Sequence, residues 1–193
     1  MSVAFHETIK ELPIVPLFLR ALAGLETGII GALLLLGWFI LDALYQGQHW
    51  YAFPNLWATL FYGNDAFAMR AGWATAAGIA VHFTNLGFAG LLFGAVWRWN
   101  SRFWPSLLAG LIWSMLWHWG MSVGLWKIFA PLVPRLMPQP ATWLAFFLFG
   151  VCLSRSPQRA QSIALDAVDR PVEILPPPLP SQAINGEMES SSS

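Results

Sequence analysis

Long apolar runs constrain this chain more than any other feature of its sequence. Three of them, residues 22–44, 72–97 and 103–126, contain few ionisable side chains and consist mainly of Leu, Ala, Gly, Phe and Trp. A helix needs about 20 apolar residues to cross the roughly 30 Å of hydrocarbon in a bilayer. Each run is therefore long enough to form a membrane-spanning helix.

A fourth apolar run, residues 139–155, is shorter and follows a segment that is rich in proline. Four prolines interrupt any helix before Ala141, although the last can occupy a first helical turn: Pro131, Pro134, Pro138 and Pro140. The run that remains is about 16 residues, or roughly 24 Å of helix. A crossing this short requires a thinner bilayer or a snorkelling Arg155. We expect a short fourth crossing.

Composition and charge agree with this class of protein. Hydrophobic residues make up 56% of the chain and charged residues 10%, whereas soluble domains contain about 25% charged residues. The formal net charge of zero is not the basic surface that nucleic-acid binding requires. We predict an all-α integral membrane protein with four transmembrane helices. Its expected partner is the lipid bilayer, and we expect it to bind no nucleic acid.

The chain divides into three regions by hydrophobicity. Residues 1–20 form a short mixed arm, predicted to be cytoplasmic or interfacial, and residues 21–155 form the transmembrane domain. From residue 156 the hydrophobicity falls, and prolines at 176–178 and 180 precede four terminal serines. A segment of this composition cannot bury a core, so we predict a disordered tail over residues 156–193.

The positions of Lys and Arg predict the orientation, because positively charged loops stay on the cytoplasmic side of a membrane. Six of these residues fall on one side of the predicted spans: Lys10, Arg20, Arg98, Arg102, Arg155 and Arg159. Three fall on the other: Arg70, Lys127 and Arg135. We predict a protein of the bacterial-type cytoplasmic (inner) membrane with both termini in the cytoplasm.

The outer loop between the first two spans is unusually aromatic. It contains Trp50, Tyr51, Phe53, Trp57, Phe61 and Tyr62. Pro54 and Gly63 are typical of the start and end of a short helix. Because aromatic side chains prefer the membrane interface, we expect this helix to lie on the outer leaflet. The alternative is a helix that re-enters over the bundle.

Glycine pairs with GxxxG spacing recur in three of the predicted spans. They are Gly24 and Gly28, Gly90 and Gly94, and Gly120 and Gly124. Small residues at this spacing let two helices approach closely inside a membrane. The pairs predict a tightly packed bundle, a contact between copies of the chain, or both.

Two polar stripes lie within the apolar runs, and each contains one histidine. His82 and Asn85 belong to the second span, and Ser114 and His118 to the third. Both histidines are predicted roughly 12–15 Å below the outer surface, so neighbouring antiparallel helices would bring them into one polar seam. Interhelical hydrogen bonds are the simpler interpretation. The alternative is ligation of haem or a metal, binding of a quinone headgroup, or proton transfer.

Two carboxylates lie in the first span. We expect Asp42, at the outer boundary, to be an interfacial carboxylate that water, Thr75 or His49 satisfies. We expect Glu26, near the cytoplasmic end, to form an ion pair with one of three arginines: Arg20, Arg98 or Arg102. An intramembrane carboxylate can also couple protons or cations in a transporter, or join two subunits.

The sequence contains no motif for catalysis, nucleotide binding or cofactor attachment. P-loop, GxGxxG, HExxH, CxxC and GxSxG patterns are absent, and we predict no catalytic residue, metal site or cofactor. The sequence favours a non-enzymatic helical module that self-associates or binds a membrane partner or a hydrophobic ligand. Trp113, Trp117 and Trp119 are candidates to line a site for a planar or lipid-like molecule, or they pack against lipid. The alternatives are a redox module that uses His82 and His118, and a small oligomeric transporter.

Overall fold

A computed structural model describes residues 15–97 and 103–169, and every regular element within these ranges is a helix. The elements in chain order are α1 (Leu17–Tyr45), α2 (Ala52–Tyr62), a 3₁₀ helix (Asn64–Ala68), α3 (Trp73–Val96), α4 (Phe103–Val123), α5 (Leu125–Phe129), α6 (Leu132–Leu136), α7 (Gln139–Leu153) and α8 (Ser156–Asp169). The predicted all-α class is confirmed. Most of the predicted N-terminal arm and the tail beyond residue 169 lie outside the described residues.

The four predicted spans correspond to α1, α3, α4 and α7. Two of these helices, α1 and α3, are long and apolar enough to cross a membrane. Helix α4 has 21 residues but does not meet the same measure of length and hydropathy. Helix α7 has 15 residues, which cover roughly 22 Å. The structure is compatible with membrane insertion, and crossings by α4 and α7 remain predictions.

Helices α1 and α3 run antiparallel in close contact through their glycines. A β-carbon at Gly24 would overlap the carbonyl oxygen of Gly90, and one at Gly28 would lie 3.0 Å from the α-carbon of Gly90. A β-carbon at Gly94 would overlap the carbonyl oxygen of Arg20. The tight packing that these two pairs predict is therefore confirmed within a single chain.

Helix α7 lies between α1 and α4. On the α1 side, Trp38 Nε1 donates a hydrogen bond of 3.0 Å to the carbonyl oxygen of Ala141. On the α4 side, the backbones meet at Gly110 and Gly150, and the Ser114 hydroxyl donates to the carbonyl oxygen of Phe146. The third predicted glycine pair behaves differently, because the space around the α-carbon of Gly120 is open.

The aromatic outer loop folds into the bundle, so the expected surface helix is wrong and the re-entrant alternative describes α2 better. The backbone of α2 at Pro54 presses directly on Gly78 of α3. Asn55 is buried, and its Oδ1 accepts a 2.7 Å hydrogen bond from the hydroxyl of Thr75. Trp57 is 2% exposed. Gly63 ends α2 with φ of 68°, a left-handed conformation that glycine adopts without strain.

The prediction of disorder from residue 156 is wrong for residues 156–169, which form α8. A two-residue turn separates α8 from the end of α7, and α8 packs along α1. Its buried side includes Ala160 and Ala164, which are 2% and 6% exposed. Because an isolated helix of this length is marginal in water, its contact with α1 explains why a polar segment becomes ordered.

Candidate functional site

His82 is a buried link between three helices. It lies on α3 and is 2% exposed, and its Nε2 is 2.8 Å from the carbonyl oxygen of Ala32 on α1. A carbonyl only accepts hydrogen bonds, so Nε2 carries the proton. The ring of Trp57 on α2 meets the imidazole edge-on at 4.7 Å between centroids. The imidazole therefore has a hydrogen bond and an aromatic neighbour from two other helices.

His118 contacts a different part of the molecule. It is half-buried on α4, with its ring 4.5 Å from that of Phe146 and 5.9 Å from that of Trp143, both on α7. Its Nδ1 is 3.5 Å from the Ser122 hydroxyl. The predicted polar seam is thus not assembled, since His82 faces α1 and α2 whereas His118 faces α7.

The other two members of the predicted seam are also separated. Ser114 is fully buried against α7, and Asn85 is half-buried on α3. Among the described residues no group of three or more His, Cys, Asp or Glu side chains is arranged to hold a metal ion. The haem, metal and quinone alternative gains no support from this geometry and stays a prediction.

Glu26 forms the expected ion pair, but with a partner that the sequence did not suggest. The Nε of Arg159 on α8 donates to both carboxylate oxygens of Glu26, at 2.9 and 3.0 Å. The two side chains are 38% and 49% exposed. The hydrogen bond to Glu26 and its negative charge raise the pKa of Arg159 above its ordinary value. The pair therefore connects α8 to the N-terminal third of α1.

Asp42 has a local hydrogen-bond partner. The side-chain amide of Gln46, one turn further along the chain, donates a 2.7 Å hydrogen bond to Asp42 Oδ2. The expected partner Thr75 instead binds Asn55. Neither Asp42 nor Glu26 is placed beside the histidines, so the candidate polar residues do not form a common centre.

An apolar groove of about 350 Å³ lies between α3 and α4. The last turn of α3 provides one wall through Phe93 and Val96, together with Trp97 directly after the helix. Three turns of α4, from Pro105 to Leu116, provide the other wall. Every lining side chain is apolar or an indole, so the groove suits a hydrophobic molecule and offers no group for catalysis.

Aromatic side chains bridge α3 and α4 beside the groove. Trp113 donates from Nε1 to the carbonyl oxygen of Ala89 at 3.0 Å, and its ring lies 6.1 Å from that of Phe93. Trp117 meets Phe88 edge-on at 6.1 Å. These large side chains span the gap between α3 and α4 and prevent the backbones from approaching.

The sequence signalled only part of this groove. Trp113 and Trp117, one turn apart, were candidates for a ligand site, and of the two only Trp113 is a lining residue. Trp119 is 65% exposed on α4 and is not among the lining residues. Ala109, a small residue on the groove wall, was not a candidate, because one alanine on an apolar helix carries no signal.

Comparison with known proteins supplies no relative: no protein-family model, curated protein or solved structure matches the chain.

Proposed function

We propose that this protein is a non-enzymatic helical module of a bacterial-type cytoplasmic membrane that binds a hydrophobic ligand between α3 and α4. The groove of about 350 Å³ carries this proposal. Small-molecule sites are concave, mostly apolar and about 300–1,000 Å³ in volume. The groove meets this description, and its lining from Phe93 to Leu116 belongs to two helices of the predicted membrane domain.

We also propose four crossings with both termini in the cytoplasm. The antiparallel pairs α1–α3 and α4–α7 support this topology, because four alternating helices return the chain to the side where it began. The ion pair of Glu26 with Arg159 supports it too, since it joins the beginning of α1 to the segment after α7. Helix α8 continues beside α1 where the short α7 ends.

The buried polar groups support a structural rather than a catalytic role for the polar stripes. Within the described residues, His82, Ser114 and Thr75 each form a hydrogen bond to another helix. In a membrane such bonds satisfy polar groups that have no water available. Two of the side chains that the sequence presented as candidates for chemistry, His82 and Ser114, thus connect helices.

Photolabelling with an apolar phenyldiazirine, mapped by mass spectrometry on protein in liposomes, tests ligand binding. Labelling of the groove wall between Pro105 and Leu116 is expected to saturate as the probe concentration rises. Labelling of Leu33 and Leu34 is expected to rise linearly, because both side chains are exposed on α1. Linear labelling at both places would contradict the proposal.

A groove-filling substitution provides the control. Ala109→Trp places an indole within the groove and is expected to remove the saturable component. Ala80→Trp adds the same side chain at an exposed position of α3 and is expected to leave it unchanged. Ile112→Trp is a second groove-filling variant. Because Ile112 is half-exposed on the groove wall, this substitution is expected to have little effect on folding.

A further inference from the structure

We propose that the loop between α1 and α3 forms a binding site for a small carboxylate that carries a planar aromatic group. The site is an open cleft of about 510 Å³, which we call the loop cleft, and its two walls are residues 48–52 and 67–70. It shares no lining residue with the α3–α4 groove. The inference therefore goes beyond the proposed function and does not depend on it.

Hydrogen bonds hold both walls of the loop cleft in place. On the first wall, the backbone amide of Gln48 donates to the carbonyl oxygen of Ala43, the end of α1, at 2.8 Å. On the second wall, the carbonyl oxygen of Met69 accepts a 2.7 Å hydrogen bond from Nδ2 of Asn55, which is fully buried in α2. A ligand thus meets walls that are already ordered, and this lowers the entropic cost of binding.

The lining combines apolar surface with a few polar groups, as small-molecule sites do. The volume of about 510 Å³ lies within the range of about 300–1,000 Å³ that is typical of such sites. Ala52, Phe67 and Met69 provide apolar surface, whereas Gln48 and Arg70 provide hydrogen-bond donors. A matching ligand therefore has an apolar part and a polar or charged part.

Arg70 supplies the charge that selects an anion. Its side chain is exposed and lines the loop cleft, and among the described residues it forms no ion pair. Asp42 lines a smaller neighbouring pocket and not this cleft. A guanidinium binds a carboxylate or a phosphate through two parallel hydrogen bonds. Because a phosphate monoester carries about two negative charges and Arg70 carries one positive charge, a carboxylate is the better match.

Stacked rings on one wall select a planar group. The rings of His49 and Tyr51 are 4.9 Å apart between centroids and 10° from parallel, and both side chains line the loop cleft. Phe67 provides a third ring on the opposite wall. Aromatic rings attract one another in offset and edge-to-face arrangements, so a flat aromatic ligand gains contacts here. The glycerol phosphate of a lipid headgroup has no ring to offer these walls.

Isothermal titration calorimetry of the full chain in detergent, with 2-naphthoate as the probe, tests the site. Saturable binding is expected above the heat of partitioning into empty micelles. The neutral amide of the probe is expected to bind at least about tenfold more weakly, because it lacks the charge that Arg70 attracts. The saturated analogue, which keeps the carboxylate and loses the flat rings, is expected to bind about two- to tenfold more weakly. Equal binding of all three compounds would overturn the inference.

Variants with matched controls locate the bound probe. Arg70→Gln is expected to weaken binding at least about tenfold, and Arg70→Lys less, because lysine keeps the charge without the planar fork. Arg135→Gln, at an exposed position outside the cleft, is expected to have no effect. Tyr51→Ala is expected to weaken binding about two- to tenfold, and Tyr45→Ala, 92% exposed and outside the cleft, is not. Equal losses in target and control variants would contradict the site.

Two further titrations separate this site from a lipid headgroup site and from the α3–α4 groove. Glycerol phosphate at equal concentration is expected not to displace 2-naphthoate, and displacement that depends on Arg70 would overturn the inference in favour of a lipid phosphate. Ala109→Trp, which fills the α3–α4 groove, is expected to leave binding unchanged. Binding that is lost in Ala109→Trp but kept in Arg70→Gln would overturn the inference while supporting the hydrophobic-ligand function.

Discussion

Helix α3 packs against α1 and against α4 in opposite ways, although all three helices are apolar. Toward α1 it presents Gly90 and Gly94, and the two backbones are in direct contact. Toward α4 it presents Phe93 and Trp97, and an open groove remains. Lipid tails are as apolar as these side chains, so hydrophobicity alone cannot draw helices together in a membrane. The size of the facing side chains therefore decides which helices touch.

The largest effect on stability is expected from disrupting the close contact between α1 and α3. In Gly24→Ala the new methyl group overlaps the backbone of Gly90, and no side-chain rotation relieves a clash with backbone. We expect a loss of about 3 kcal/mol in the free energy of unfolding, at the upper end for overpacking. Thermal unfolding of the purified protein in detergent measures it.

Gly37→Ala is the matched control for this substitution. Gly37 lies on the same helix, and a β-carbon there would meet nothing within 4 Å. Because alanine favours a helix over glycine by about 0.5–1 kcal/mol, this variant is expected to match or exceed wild type in stability. Equal losses in the two variants would show that the glycine contact does not hold α1 to α3.

A smaller effect on stability is expected from removing the side chain of His82, which connects α3 to α1 and α2. His82→Ala loses the hydrogen bond to Ala32 and the contact with Trp57 and leaves a cavity, so we expect a cost of about 2 kcal/mol. His118→Ala, at a half-buried site against α7, is expected to cost about half as much. Thermal unfolding measures the stability of both variants. A larger loss for His118→Ala than for His82→Ala would contradict the interpretation of His82 as the more important link between helices.

The groove between α3 and α4 is expected to tolerate a larger side chain. Ala109→Trp places its side chain in the groove rather than against backbone, so we expect a change below about 1 kcal/mol in the free energy of unfolding. The same thermal assay measures it beside Gly24→Ala. A loss as large as that of Gly24→Ala would show that α3 and α4 are as closely packed as α3 and α1, and the comparison would fail.

The smallest effect is expected at the contact between α1 and α8. Glu26 and Arg159 are both substantially exposed, and ion pairs of this kind are weak and screened by salt. Glu26→Gln is expected to lower the unfolding temperature slightly at low salt and not at high salt. The charge-reversed double variant Glu26→Arg with Arg159→Glu is expected to recover stability relative to either single reversal. No recovery would indicate that the packing of Ala160 and Ala164 alone holds α8.

Several features of the fold were predictable because they depend on short stretches of sequence. Helix length follows from uninterrupted apolar residues, and the end of α2 follows from the left-handed conformation at Gly63. The pairs Gly24–Gly28 and Gly90–Gly94 indicate a contact face through their spacing alone. The groove was partly indicated by Trp113, but its opposite wall on α3 carried no signal.

Other features depend on partners that are distant in the chain. An aromatic segment has the same composition whether it lies on a membrane or inside a bundle, and the burial of α2 was decided by its contact with Gly78 on α3. Glu26 was expected to pair with Arg20, Arg98 or Arg102, but its partner is Arg159, 133 residues away. Helix α8 is too polar to predict as part of a core, and its order depends on α1.

The sequence by itself determined that this is an all-helical chain with long apolar helices and glycine-lined contact faces. Those properties follow from local backbone preferences and from hydrophobicity. Only the tertiary structure decided which helices meet: that His82 and His118 face different neighbours, that α2 enters the bundle, and that α3 and α4 stay apart. In an apolar solvent many pairings are equally hydrophobic, so steric fit and a few hydrogen bonds select among them.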